Sequence, residues 1–201
     1  MKKIGIMGGT FNPIHNGHLL LAQWALDAEN LDEIWFMPTG ISYSKAHANI
    51  LPGEERLNMV ELAIKDNPSF FVSDIELQRS GYTYTYETLE VLKVQFPENE
   101  FYFIVGADCL YTFENWKEPA CILQNCILLA AVRGDSSVED LERKKTELME
   151  RFGGNIKLFP FINFDISSTE IRNRVRKQRE IRYLVPETVR EYIVEKGFYH
   201  E

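Results

Sequence analysis

The chain has 201 residues, 22 basic and 30 acidic, for a formal charge of −8, with 45% hydrophobic and 26% charged content. These values describe an ordinary globular chain, long enough to bury a core without a disulfide or structural-metal framework, and they exclude intrinsic disorder. The acidic balance argues against wrapping a nucleic-acid polymer, which needs a basic face, but leaves room for a local basic pocket around a small phosphate ligand.

In chain order, Lys3–Met7 is a short apolar run ending in Gly8-Gly9, the pattern of a buried strand entering a tight turn. Gly17–Asn30 carries Leu19, Leu20, Leu21, Ala22, Trp24, Ala25 and Leu26 and reads as a largely buried helix. Glu33–Met37 is the next strand, ended by Pro38, and Thr39–Pro52 has no period and reads as a loop. Gly53–Lys65 is a helix, Phe70–Ser73 a strand, and Gly81–Thr85 a tyrosine-rich turn before a helix to about Gln95. Strands follow at Glu100–Val105, Cys126–Val132 and Ile156–Phe161, with a charged helix at Val138–Phe152. Helices near Ser168–Lys177 and Pro186–Glu195 close the pattern as a helical C-terminal extension of one domain spanning residues 1–201.

Strands alternating with helices imply an α/β domain: a doubly wound, Rossmann-like parallel sheet with helices on both faces. Ligands bind such sheets beyond the carboxyl ends of the strands, which places Gly8–His18, Gly106–Cys109 and Asp165–Arg172 on one rim. The cysteines Cys109, Cys121 and Cys126 lack CxxC spacing and read as reduced thiols of a cytoplasmic protein. A strand pattern starting at Lys3 leaves no signal peptide, and no apolar run is long enough to span a bilayer. The composition is compatible with a homo-oligomer without requiring one.

Three rim segments carry chemistry. In the first, two glycines let a ligand approach the main chain, and the helix starting near Gly17 turns its N–H groups and positive dipole end toward that space, where His15 and His18 stand. Taken singly, the turn is an ordinary connection and each histidine a cap or a packed ring; together they point to a phosphate site. The run Gly8-Gly9-Thr10-Phe11 fits neither the GxGxxG dinucleotide pattern nor a P-loop. In the second, Ser167 and Glu170 have capping-box spacing, which explains them structurally, but not Arg172 one turn in. A hydroxyl-rich helix start followed by an arginine suits a polyphosphate. Arg174, Arg176 and Lys177 read as a solvated face. In the third, Asp108 is either a helix N-cap or a carboxylate for ribose hydroxyls or Mg²⁺, and Trp116-Lys117 lies just beyond.

His15-Asn16-Gly17-His18 resembles the HxGH signature of the nucleotidyltransferase superfamily, and Ile166–Arg172 resembles its ISSTxIR motif. With Thr83–Thr85, Gly106–Trp116 and Tyr183–Pro186 added, the chain resembles the bacterial nicotinate-nucleotide adenylyltransferases from Ile4 to Tyr199. That resemblance implies transfer of AMP from ATP to nicotinate mononucleotide, with Mg²⁺ carried on the ATP rather than held by direct protein ligands. It implies a catalytic set of His18, His15, Arg172 and Lys45. ATP would be bound by Gly8, Gly9, Thr10, Phe11, Gly106, Asp108, Ser167, Ser168 and Thr169. Thr39, Thr85, Trp116 and Lys117 would hold the nicotinate nucleotide. The chain departs from the family pattern at Ser42-Tyr43-Ser44-Lys45, where Pro-Pro-His-Lys is frequent, at Asn12 for aspartate and at Cys109 for serine. Three alternatives stand beside this reading: another HxGH nucleotidyltransferase, a catalytically silent nucleotide-binding module, and a metal-dependent hydrolase using His15 and His18.

Overall fold

A computed structural model describes residues 1–42, 50–133, 137–162 and 164–200. Its strands are β1 (Lys3–Gly9), β2 (Glu33–Pro38), β3 (Ile41–Ser42), β4 (Phe70–Val72), β5 (Tyr82–Thr83), β6 (Glu100–Gly106), β7 (Ile127–Arg133) and β8 (Asn155–Phe161). Six form one sheet in the order β4-β2-β1-β6-β7-β8, and every neighbouring pair is parallel. Counted among themselves these strands run third, second, first, fourth, fifth, sixth, the doubly wound Rossmann-like order. The order reverses between β1 and β6, so the crevice at their carboxyl ends is where a ligand binds in such a sheet.

The helices are α1 (Asn16–Glu29), α2 (Gly53–Ile64), α3 (Thr85–Gln95), α4 (Pro119–Asn125), α5 (Val138–Phe152), α6 (Ser168–Arg176) and α7 (Glu187–Lys196). Strand side chains alternate between faces, and that period divides the core. Tyr102, Ile104, Leu129 and Ala131 join Ala22 and Ala25 of α1, Met59 and Val60 of α2, Ile171 and Val175 of α6 and Val189 and Ile193 of α7. Phe101, Val105, Leu128 and Ala130 join Leu89 and Leu92 of α3, Ile122 and Leu123 of α4 and Leu141 and Leu148 of α5. Both faces of the sheet are therefore covered.

The expected elements are present, with boundaries shifted by a residue or two. Three details differ from expectation. The Thr39–Pro52 loop and the Gly81–Thr85 turn contribute β3 and β5, which pair in parallel as a separate two-stranded sheet. The short helix α4 is an addition, and the segment after β6 forms 3-10 helices at Ala107–Tyr111 and Phe113–Asn115. No described helix is long and apolar enough to cross a membrane.

Candidate active site

β1 ends in Gly8 and Gly9, opposite Met37 and Pro38 of β2. A Cβ on Gly9 would stand 3.0 Å from the Phe11 ring, and one on Gly8 would stand 3.4 Å from Phe103 of β6. The Phe11 side chain is buried, so its ring is not open to a ligand. The ring instead meets His18 edge-on, with centroids 5.1 Å apart.

His15 and His18 take different roles. His15 is the N-cap residue of α1, and its N–H donates to His18 Nδ1 at 3.2 Å. A nitrogen that accepts carries no proton, so the neutral His18 ring holds its proton on Nε2. His18 is thereby set up as a hydrogen-bond donor. His15 is only 6% exposed and stacks under His18, with centroids 3.6 Å apart and planes 20° apart. Burial pushes its pKa down to about 4, and Nδ1 has no partner among the described residues. Gly17 explains itself here, since a Cβ at that position would stand 3.1 Å from His15 Nδ1. The Asn16 N–H at the start of α1 is already taken by Leu184 O at 2.9 Å, and Asn16 Nδ2 donates to Tyr183 O at 2.7 Å. The Tyr183-Leu184 segment therefore anchors the start of the helix.

The second motif is clasped to the first. Ser167 caps α6 by accepting the Glu170 N–H at 3.1 Å. Ser168 Oγ donates to Pro13 O at 2.8 Å. Arg172 donates from Nη1 to Asn12 O at 2.8 Å and from Nη2 to Thr169 Oγ1 at 3.2 Å. Its Nε is buried without a partner among the described residues, and burial lowers its pKa. The Ser167 and Thr169 hydroxyls accept in these bonds and keep a proton to donate, whereas the Ser168 proton is already committed to Pro13. The first-turn N–H groups of α6 have no intrahelical acceptors, as at any helix start.

Across the switch point, Phe103 links Gly8 to Trp116, whose ring lies edge-on to it at 6.2 Å. Trp116 also packs against buried Phe113 at 5.4 Å. Lys117 Nζ sits 4.0 Å from the centroid of the Tyr84 ring, and Tyr84 is the N-cap residue of α3, whose first residue is Thr85. The structure thus brings Thr85, Trp116 and Lys117 to one wall. Gly106 closes β6, and Asp108 is exposed in the first 3-10 turn after it, where Gly106 rather than Asp108 is the cap residue. Thr39 follows β2, with its N–H on Gly9 O at 2.8 Å and its Oγ1 buried without a partner among the described residues. Lys45 lies outside the described residues.

The Cytidylyltransferase-like family matches residues 6–174. A protein of Lachnoclostridium phytofermentans named "Probable nicotinate-nucleotide adenylyltransferase" is 44% identical over 99% of this chain and 100% of its own length. One of Geobacillus kaustophilus with the same name is 41% identical over 99% of this chain and 87% of its own length. The chain belongs to the nicotinate-nucleotide adenylyltransferase family. Among solved structures, the Plasmodium falciparum nicotinic acid mononucleotide adenylyltransferase complexed with NaAD aligns with a TM-score of 0.81 over 100% of this chain and 98% of the other. At 23% identity that likeness speaks for the shared fold.

Some residues that shape this adenylyltransferase site carry no motif in the sequence. Arg56 of α2 is 4% exposed and donates to the Leu51, Thr10 and Thr39 carbonyls at 3.0, 2.8 and 2.8 Å. Asn12 Oδ1 receives the Tyr199 hydroxyl at 2.9 Å and the Leu51 N–H at 3.2 Å. Glu76 is buried and accepts the Thr88 hydroxyl at 2.9 Å, which ties the segment after β4 to α3. Burial raises the Glu76 pKa against that bond. A charged residue on an apolar helix face, as Arg56 is in α2, was the one available signal.

Proposed function

We propose that the chain transfers the adenylyl group of ATP to the phosphate of nicotinate mononucleotide, giving deamido-NAD and pyrophosphate, as the family name states for its relatives. The assignment of substrates to halves of the site rests on one observation. The Asn12–Pro13 main chain is bonded to Ser168 and Arg172, so two phosphate-suited motifs converge at the switch point.

An oxygen of the acceptor phosphate forms a bond to the α-phosphorus of ATP while the bond to the bridging oxygen breaks, and the electron pair leaves on pyrophosphate. A phosphate monoester has a second pKa of about 6 and is already mostly dianionic at pH 7, so no protein base is needed. The protein's task is to align two anions and stabilise the charge on the leaving group. His18 donates from Nε2, with His15 as the platform that fixes its plane. Arg172, whose Nε has no partner among the described residues, meets the triphosphate together with the first turn of α6 and the Ser167 and Thr169 hydroxyls. Ser168 holds the loop. Gly8, Gly9, Thr10, Phe11 and Gly106 offer main chain at close range, and Lys45 is assigned to the phosphates by resemblance. Thr39 lies on the acceptor side, and Trp116 stacks on the nicotinate ring. Its carboxylate faces the Thr85 N–H and the Lys117 ammonium.

Among the described residues no three His, Cys, Asp or Glu side chains group to hold a metal ion. A Mg²⁺ ion brought in with ATP would find exposed Asp108, in the 3-10 turn after β6, as a carboxylate able to hold it. Bound there, the ion would offset phosphate charge.

The test is pyrophosphate release from ATP with nicotinate mononucleotide, nicotinamide mononucleotide, other phosphorylated acceptors and none. His18→Ala should lower kcat by roughly 10²-fold or more, the scale of one preorganised donor. A folded His18→Ala protein with near-parental kcat would remove His18 from the mechanism. Release with a different acceptor alone would reassign the substrate.

A further inference from the structure

The loop between β1 and α1 is held in an unfavourable shape. Phe11 has φ 48°, a left-handed value for a residue with a bulky buried ring. Such a conformation persists only where the surroundings over-determine it. Here part of that determination comes from two side chains to which the reaction scheme gives no contact with substrate.

One is Tyr199, beyond α7. Burial pushes its hydroxyl pKa above the usual range, and the hydroxyl donates to Asn12 Oδ1. The second is Arg56. Its three bonds go to main-chain carbonyls; burial lowers its pKa, the nearby Tyr199 acts against that, and no carboxylate among the described residues forms an ion pair with it. Burying a guanidinium without a carboxylate is costly, and an apolar residue would fill a buried helix position at lower cost. What the three bonds achieve is geometric. They join the chain after β1, the chain after β2 and the Leu51 segment at a single rigid planar fork. Asn12 is where the two supports meet. Its Oδ1 takes the Tyr199 hydroxyl and the N–H of Leu51, whose carbonyl Arg56 holds. Its main-chain oxygen takes Arg172 Nη1.

We infer that Tyr199 and Arg56 are positioning residues for adenylyl transfer: they hold the Thr10–Asn12 main chain and, through Asn12, aim the Arg172 guanidinium at the ATP phosphates. This rests on Arg172 as a triphosphate contact. Removal of either support lets the loop relax from its left-handed turn, and the fork of Arg172 loses its fixed anchor. The effect falls on ATP rather than on the acceptor nucleotide.

Tyr199→Phe removes one hydroxyl and keeps the packing; Arg56→Lys keeps the charge and loses the fork. Both are measured for melting temperature, for ATP affinity by calorimetry, and for the KM of each substrate. We expect Tyr199→Phe to melt within about 4 °C of the parent, the shift of a single hydrogen bond in a chain of this size. ATP affinity should fall roughly tenfold in both variants, with the nicotinate mononucleotide KM within about twofold of the parent, because a small misplacement of a phosphate clamp weakens what it holds. Combined with Arg172→Ala, Tyr199→Phe should cost little more, since both act through one contact. The inference is overturned if folded Tyr199→Phe binds ATP within twofold of the parent, if both substrates suffer equally, or if the Tyr199→Phe and Arg172→Ala losses add in full. Should Arg56→Lys fail to fold, Tyr199→Phe decides. Calorimetry with ATP reads the loop whatever the acceptor proves to be, so a failed acceptor assay and a failed positioning role give different results.

Discussion

His15 has a depressed pKa for a physical reason with a measurable consequence. Its ring is packed under His18, and burial lowers its pKa from 6.5 to about 4. The unfolded chain takes up a proton near pH 6.5 that the folded chain refuses until about pH 4. Below pH 6.5 the unfolded state binds more protons, so stability rises with pH across that window. The contribution of His15 is complete above pH 6.5 and is lost as the pH falls toward 4. Its upper limit is on the order of 3 kcal/mol. Replacing His15 with Asn, which does not titrate, should flatten the acid limb of stability against pH in urea titrations between pH 7 and pH 4.5. Parallel curves for the two proteins would show that His15 is not held neutral. Buried Glu76, with its raised pKa, contributes with the opposite sign, but equally in both proteins. The resemblance to the HxGH signature implied a catalytic part for both histidines. Spacing cannot divide their roles, because that division comes from a stack and a main-chain bond that exist only once α1 has formed.

At the scale of elements, the first turn of α6 gives two adjacent serines different structural tasks, a cap and a clasp. Ser167 accepts the Glu170 N–H and ends the helix in the usual way, so Ser167→Ala should cost about 1 kcal/mol in denaturant unfolding. Ser168 makes no cap bond. Its hydroxyl crosses to Pro13 O and ties α6 to the phosphate loop. Ser168→Ala should therefore leave the helix cap intact and lower kcat/KM for ATP by roughly fivefold, the worth of one neutral hydrogen bond of about 1 kcal/mol. If Ser168→Ala matched Ser167→Ala in stability loss and kept full activity, the clasp would be no more than packing. The capping box was legible because its spacing is local. The clasp was not, because Ser168 and Pro13 lie 155 positions apart and nothing in either residue names the other. The same holds for Tyr199, whose hydroxyl reaches back to Asn12, and for Arg56, whose partners are main-chain carbonyls without a sequence signature. β3 and β5 escaped reading for another reason: a two-residue strand has no period to detect.

For the molecule as a whole, alternation of apolar runs with helices was enough to place the rim, because parallel strands direct all their carboxyl ends one way. It gave the crevice between β1 and β6, but not how the two anionic substrates are told apart across it. The structure divides that crevice chemically. On one side α1, the phosphate loop and Arg172 converge; on the other stand Phe103, Trp116, the start of α3 and Lys117. The protein carries a net charge of −8, so the Lys117 cation on the wall proposed for the acceptor is a local exception to the overall field. A nicotinate carboxylate accepts hydrogen bonds from such groups, whereas the NH₂ of an amide turned toward them leaves donors facing donors. The parent should therefore use nicotinate mononucleotide in preference to nicotinamide mononucleotide by tenfold or more in kcat/KM, on the order of one charge-assisted hydrogen bond. Lys117→Met keeps the stem over the Tyr84 ring and removes the charge. It should narrow the acid-to-amide ratio by roughly tenfold while leaving the ATP KM within about twofold. Equal use of both nucleotides by the parent would refute the carboxylate assignment. An unchanged ratio in Lys117→Met would place the discrimination on the α3 N-terminus alone, where the Thr85 N–H faces the ring without help from the ammonium.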